Sequence, residues 1–149
     1  MEAVISQSKR KMWVMVNYVA LVALLILFYT ADRAGLTMPV IIGGSTAILL
    51  LVISFVKAYA QTGLWRFVHT KADRLDEREM LMTYESLRRS YGLFAIICLV
   101  IFLLAELITK EFGGGLKLAL MPVIAALIYL AHILPASVIA WTEREIYRD

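Results

Sequence analysis

The sequence predicts an all-α integral membrane protein of four transmembrane helices, arranged as two antiparallel hairpins, with the third helix extended into the cytoplasm. Three observations carry that prediction. The chain of 149 residues is 61% hydrophobic and 18% charged, with a mean hydropathy of +0.77, whereas soluble domains carry about 25% charged residues. Four long apolar runs use more than half of the length, so the chain reads as a single transmembrane domain over residues 1–149. The third observation is where the charges fall. Lys9, Arg10, Lys11, Lys57, Arg66, Lys71, Arg74, Arg78, Arg88, Arg89, Arg144 and Arg148 lie on one side of the predicted spans, and only Arg33, Lys110 and Lys117 on the other.

The spans cover about residues 12–31, 38–57, 90–109 and 118–141. Each is long enough for the roughly 20 residues that cross a hydrocarbon core about 30 Å thick. The basic flank before the first span resembles the n-region of a signal peptide, but its apolar stretch is too long and no small-x-small cleavage site follows, so it reads as a retained helix. The positive-inside rule then puts both termini in the cytoplasm, and the expected location is the cytoplasmic (inner) membrane of a prokaryote. Trp13, Trp65 and Trp141 fall at the predicted cytoplasmic boundaries, where an amphipathic indole prefers the headgroup level, and Tyr29 marks the outer end of the first span.

The links between spans are readable in the same terms. "DRAGLT" supplies Gly35 as a helix-terminating residue, Thr37 as an N-cap and Pro39 in the next first turn. "KEFGGGLK" offers the same stop and start with three glycines. Short links make the first and second spans, and the third and fourth, antiparallel neighbours. In the second span, Gly43, Gly44 and Ala47 form a small-residue patch in which the Gly43–Ala47 pair admits another helix backbone. In the fourth, Pro135 removes a backbone donor and predicts a kink.

"MPVI" opens both the second span (Met38–Ile41) and the fourth (Met121–Ile124), and Ser54 and Ser137 stand at that same offset of 83. A duplicated hairpin is one reading. Ordinary Met-Pro helix starts followed by lipid-facing residues are the other.

Between the hairpins lies a helical segment over 64–89. "QTGLWRFVHT" mixes Leu64, Trp65, Phe67 and Val68 with Arg66, His69 and Lys71, as suits an interfacial stretch. From Lys71 to Tyr91 there is no Gly or Pro, Asp73 or Asp76 can cap the start, and Met80, Tyr84, Leu87 and Tyr91 repeat at i, i+4, i+7 and i+11. A helix from Asp76 to Thr109 is roughly 50 Å long, about 20 Å more than the bilayer core requires. The apolar stripe on that extension is the candidate surface for self-association or for docking a partner.

The candidate chemical groups each have a plainer reading. Glu106, the one acid inside a spanning run, could couple a proton or cation, but it lies near the outer boundary with Lys110 at i+4 in the favourable order. His132, three residues after Tyr129 and beside Pro135, could titrate or ligate haem, but no second intramembrane His completes a bis-His site, so a packed, hydrogen-bonded His is preferred. A transport or channel site near Glu106, Tyr129 and His132 is the alternative function. Met80 and Met82 could suit Cu(I), yet Met80 already belongs to the stripe. Asp73, Asp76, Glu77 and Glu79 lack the glycine turn of a calcium loop and alternate with Arg74 and Arg78, and Glu85 to Arg89 is a supporting i,i+4 pair. The single Cys98 excludes an intrachain disulfide and a CxxC site.

No nucleophile elbow, P-loop, HExxH or dinucleotide fingerprint occurs, so the sequence favours a non-enzymatic protein without metal or cofactor. Its basic residues alternate with acids and follow membrane orientation, which argues against nucleic acid. The expected partners are the lipid bilayer and a further copy of the chain or another membrane protein.

At "LDERE", shortly before a span that starts near "RRSYG", the chain resembles small bacterial and archaeal membrane proteins of unknown function that carry an Asp-Glu-Arg motif before an aromatic-led span. The resemblance covers about residues 73–105 and implies membership of an uncharacterised group, with no activity carried over. The two-hairpin layout is also similar to the proteobacterial antimicrobial compound efflux family. That family places a key Glu in its first span, where this sequence has no acid and Asn17 is the strongly polar residue.

Overall fold

The structure is a computed structural model that describes residues 6–111 and 120–143. The glycine link expected at 112–117, the Glu106–Lys110 pairing, and Arg144 and Arg148 lie outside what is described. Every regular element among the described residues is helical: α1 (Gln7–Ala34), α2 (Met38–Phe55), α3 (Leu64–His69), α4 (Glu77–Glu111) and α5 (Leu120–Thr142), with no strand among them. α1, α2, α4 and α5 are long and apolar enough to cross a membrane.

The local signals place most of the boundaries. Gly35 ends α1 at φ 81 and its N–H donates to Ala31 O at 2.9 Å, a backbone conformation that favours glycine. Extended Thr37 and then Pro39 in the first turn open α2. At the start of α4, Asp76 is the cap rather than Asp73: Glu79 N–H donates to Asp76 Oδ1 at 2.6 Å and Asp76 N–H to Glu79 Oε2 at 3.2 Å, a reciprocal capping box. A short 3-10 turn at Ala72–Arg74 precedes it.

Two elements differ from the sequence-based expectation. The second helix does not stop near Lys57 but continues as a π-turn over Val56–Ala60, which turns Ala58 and Tyr59 fully inward. The stretch after it is not merely a surface strip: α3 buries Leu64 and Phe67 in the main core while Arg66 and His69 remain exposed.

The long helices pack in the order α2, α1, α5, α4, with α1 and α5 central. Along the α1–α2 seam Gly43 permits close approach, since a Cβ there would meet the Leu27 side chain at 3.3 Å, and Ala47 is buried beside it. Gly44 takes no part in that seam, since a Cβ there meets nothing within 4 Å. The principal core is Val14, Ala58, Tyr59, Leu64, Phe67, Ile133, Ala136, Ile139 and Ala140, with Trp13, Phe55 and Trp65 packed against it. It lies toward the end of the molecule that holds Arg10 and Glu143, called below the charged end. α5 passes through Pro135 without interruption, and Pro135 itself is buried.

Candidate functional site

A buried polar cluster joins α1, α2 and α5. Asn17 is fully enclosed; its Nδ2 donates to Ser54 Oγ at 2.9 Å and to Leu51 O at 3.2 Å, while Tyr129 OH donates to its Oδ1 at 3.0 Å. One residue on, Tyr18 OH donates to Ser137 Oγ at 2.8 Å, and Tyr59 OH lies 2.8 Å from that same oxygen. Ser137 has one hydroxyl proton, and that proton goes to Ile133 O at 2.9 Å. Tyr59 must therefore donate too, which fills both acceptor positions of Ser137. The arrangement is a fully engaged set of polar groups, which in an apolar surrounding favours one packing of the three helices over others.

The serines at the repeated offset share a role. Ser54 and Ser137 are both buried, and each accepts a bond from one of two adjacent residues of α1, Asn17 and Tyr18. The offset they share with the "MPVI" repeat was read as a duplicated hairpin or as ordinary helix starts, and not as a sign of these hydrogen bonds. Tyr18 and Tyr59 carried no signal, because their partners depend on which helices become neighbours.

At the charged end Arg10 is 2% exposed, and its guanidinium donates to Glu143 O at 2.6 Å, while Gln7 Nε2 donates to Trp141 O at 3.1 Å. These carbonyls end α5 and would otherwise lack helical donors, so a cation there also meets the negative end of the helix dipole. Lys11 sits 5.0 Å above the Trp141 ring.

The start of α4 rests on α3. Thr83 Oγ1 donates to Phe67 O at 3.4 Å, Arg66 pairs with Glu79 at 3.5 Å, and farther along Glu85 pairs with Arg89 at 3.3 Å, as expected from their spacing. Ser86 and Ser90 face inward, whereas the stripe does not: Met80, Tyr84, Leu87 and Tyr91 are 38%, 67%, 46% and 79% exposed. The Trp65–His69 segment thus leaves the stripe uncovered.

The three polar candidates in the membrane are not brought together. Tyr129 turns toward α1, while Glu106 and His132 are exposed on α4 and α5, with His132 Nδ1 2.8 Å from Ile128 O one turn back. Tyr129 borders an apolar groove of about 580 Å³ between α1, α2 and α5, lined also by Leu24, Phe28, Gly44 and Pro122, and neither Glu106 nor His132 reaches it. Among the described residues no group of three or more His, Cys, Asp or Glu side chains is gathered to hold a metal ion. No family model, no curated protein and no solved structure matches the chain.

Proposed function

We propose that the chain is a non-enzymatic subunit of a prokaryotic inner membrane, built as two antiparallel hairpins with both termini cytoplasmic, that pairs with a second copy of itself through the cytoplasmic start of α4. The carrying observation is the exposure of Tyr84 and Leu87 in a stretch bordered by Arg78, Glu85, Arg88 and Arg89. Arg78, at the start of this stretch, reaches Glu143 at the end of α5 at 4.0 Å, which supports a position for it outside the hydrocarbon. Charged residues flank an apolar stripe in water only at a cost, and a helix partner removes that cost.

A like helix is the fitting occupant. Met80, Tyr84, Leu87 and Tyr91 have the alternating four- and three-residue spacing of heptad d and a positions, which interlock with an equivalent helix running parallel. Copies inserted with one orientation present α4 to each other in parallel, about a two-fold axis along the membrane normal. Native mass spectrometry in mild detergent tests the reading: the chain is expected as a dimer, and Tyr84→Ser combined with Leu87→Ser as a monomer. An unchanged assembly in the double variant overturns it.

A further inference from the structure

Two cavities meet between α4 and α5 at the charged end. One, about 540 Å³, is lined by apolar side chains, among them Leu93, Ile97, Leu130 and Leu134. The other, about 550 Å³, holds Arg78, Glu85, Arg89 and Glu143. Arg89, Val138 and Thr142 border both, so an apolar slot opens directly into a charged chamber at its mouth. That division matches an amphiphile, with chain and headgroup on either side of one boundary.

We infer that this cleft binds one phospholipid with a zwitterionic, primary-ammonium headgroup, its acyl chain in the slot, its phosphate on Arg89 and Arg78, and its ammonium on Glu85 and Glu143. The lining selects the headgroup: two guanidiniums and two carboxylates in one chamber match a headgroup that carries both signs, with Glu85 the carboxylate that faces no buried cation and Glu143 also beside Arg10. An anionic headgroup would leave the carboxylates opposed to it. A quaternary ammonium would offer them no N–H donors, whereas a primary one has three. The protein's own pairs are easily exchanged, because Arg89–Glu85 at 3.3 Å is more than half exposed on both sides and Arg78–Glu143 at 4.0 Å is long. Guanidinium groups freed in this way bind phosphate through two parallel N–H bonds. The cleft lies on a different side of α4 from the stripe of Tyr84 and Leu87, neither of which lines it, so the inference stands independently of self-association.

The test uses the full chain in nanodiscs made from equal parts phosphatidylethanolamine, phosphatidylglycerol and phosphatidylcholine, with retained lipid identified by native mass spectrometry after release. Phosphatidylethanolamine is expected to be enriched over both others. Arg89→Gln should lower its retention about five-fold, the scale of one charged contact at a membrane surface. Glu85→Gln with Glu143→Gln should shift the preference to phosphatidylglycerol. Ile97→Trp, which fills the slot without changing charge, should reduce retention of all three, and Arg88→Gln, which lines neither cavity, should change nothing. Enrichment of phosphatidylglycerol in the unaltered chain overturns the inference. So does equal loss with Arg88→Gln, or displacement of the lipid by soluble phosphoethanolamine at matched concentration.

Discussion

The spanning windows of α4 and α5 are comparably apolar, yet the structure treats them oppositely: 44% of that of α5 is buried inside the protein and 6% of that of α4. Small residues and hydrogen bonds mark the buried side of α5, beside the larger Ile133, Leu134 and Ile139. α5 offers Ala126, Ala136, Ser137 and Ala140 to its neighbours, so that Tyr18, Tyr59 and Val14 come close, whereas the spanning part of α4 presents Leu93, Ile96, Leu99, Phe102 and Leu103 outward. In a bilayer, apolar surface is already in a good solvent, so hydrophobicity does not choose which face meets protein. Small residues and polar pairs choose it.

The largest test of this contrast is to crowd the close-packed side. Ala136→Leu, at a fully enclosed position, should destabilise by about 1–3 kcal/mol, while the shrinking change Leu99→Ala on α4 should stay within about 0.5 kcal/mol. Unfolding by sodium dodecyl sulfate in mixed micelles measures both, and equal effects would remove the distinction. Next in size is Asn17→Leu, which cancels three hydrogen bonds and leaves Tyr129 OH and Ser54 with lost partners. A loss of about 1–3 kcal/mol is expected by the same measurement. Ser137→Ala should cost about 1 kcal/mol, since Tyr18 and Tyr59 lose a shared acceptor. Smallest is Ser90→Ala on α4. Ser90 is 4% exposed and its Oγ has no hydrogen-bond partner among the described residues, so its removal should be neutral or slightly stabilising.

The same reasoning explains what could be read from the residues alone. Gly35, Pro39, Asp76 and the Gly43–Ala47 patch announced local geometry because each acts on its own backbone or immediate surroundings. Arg10 read only as one of the positive charges on one flank; that its guanidinium is enclosed depends on α5 ending beside it, more than a hundred residues later in the chain. Tyr18 and Tyr59 were silent for the same reason, since an aromatic hydroxyl in an apolar run meets lipid headgroups as readily as a buried serine. The π-turn at Val56–Ala60 has no residue signature; the burial of Tyr59 accompanies it. Conversely, Glu106 and His132 drew notice by residue type, and the structure puts both on exposed faces away from the groove at Tyr129.

The clasp between Arg10 and the Glu143 carbonyl spans 133 positions of sequence. While the chain is being made, α1 enters the membrane long before α5 exists, so its arginine must wait at the water boundary, solvated, until the carbonyl ends of α5 arrive. Central packing of α1 on α5 therefore cannot form early, and the α1–α2 pair is an open half until then. The contacts that complete last are those α5 brings: Tyr129 to Asn17, whose bonds to Leu51 and Ser54 α2 already supplies, and Ser137 to Tyr18 and Tyr59.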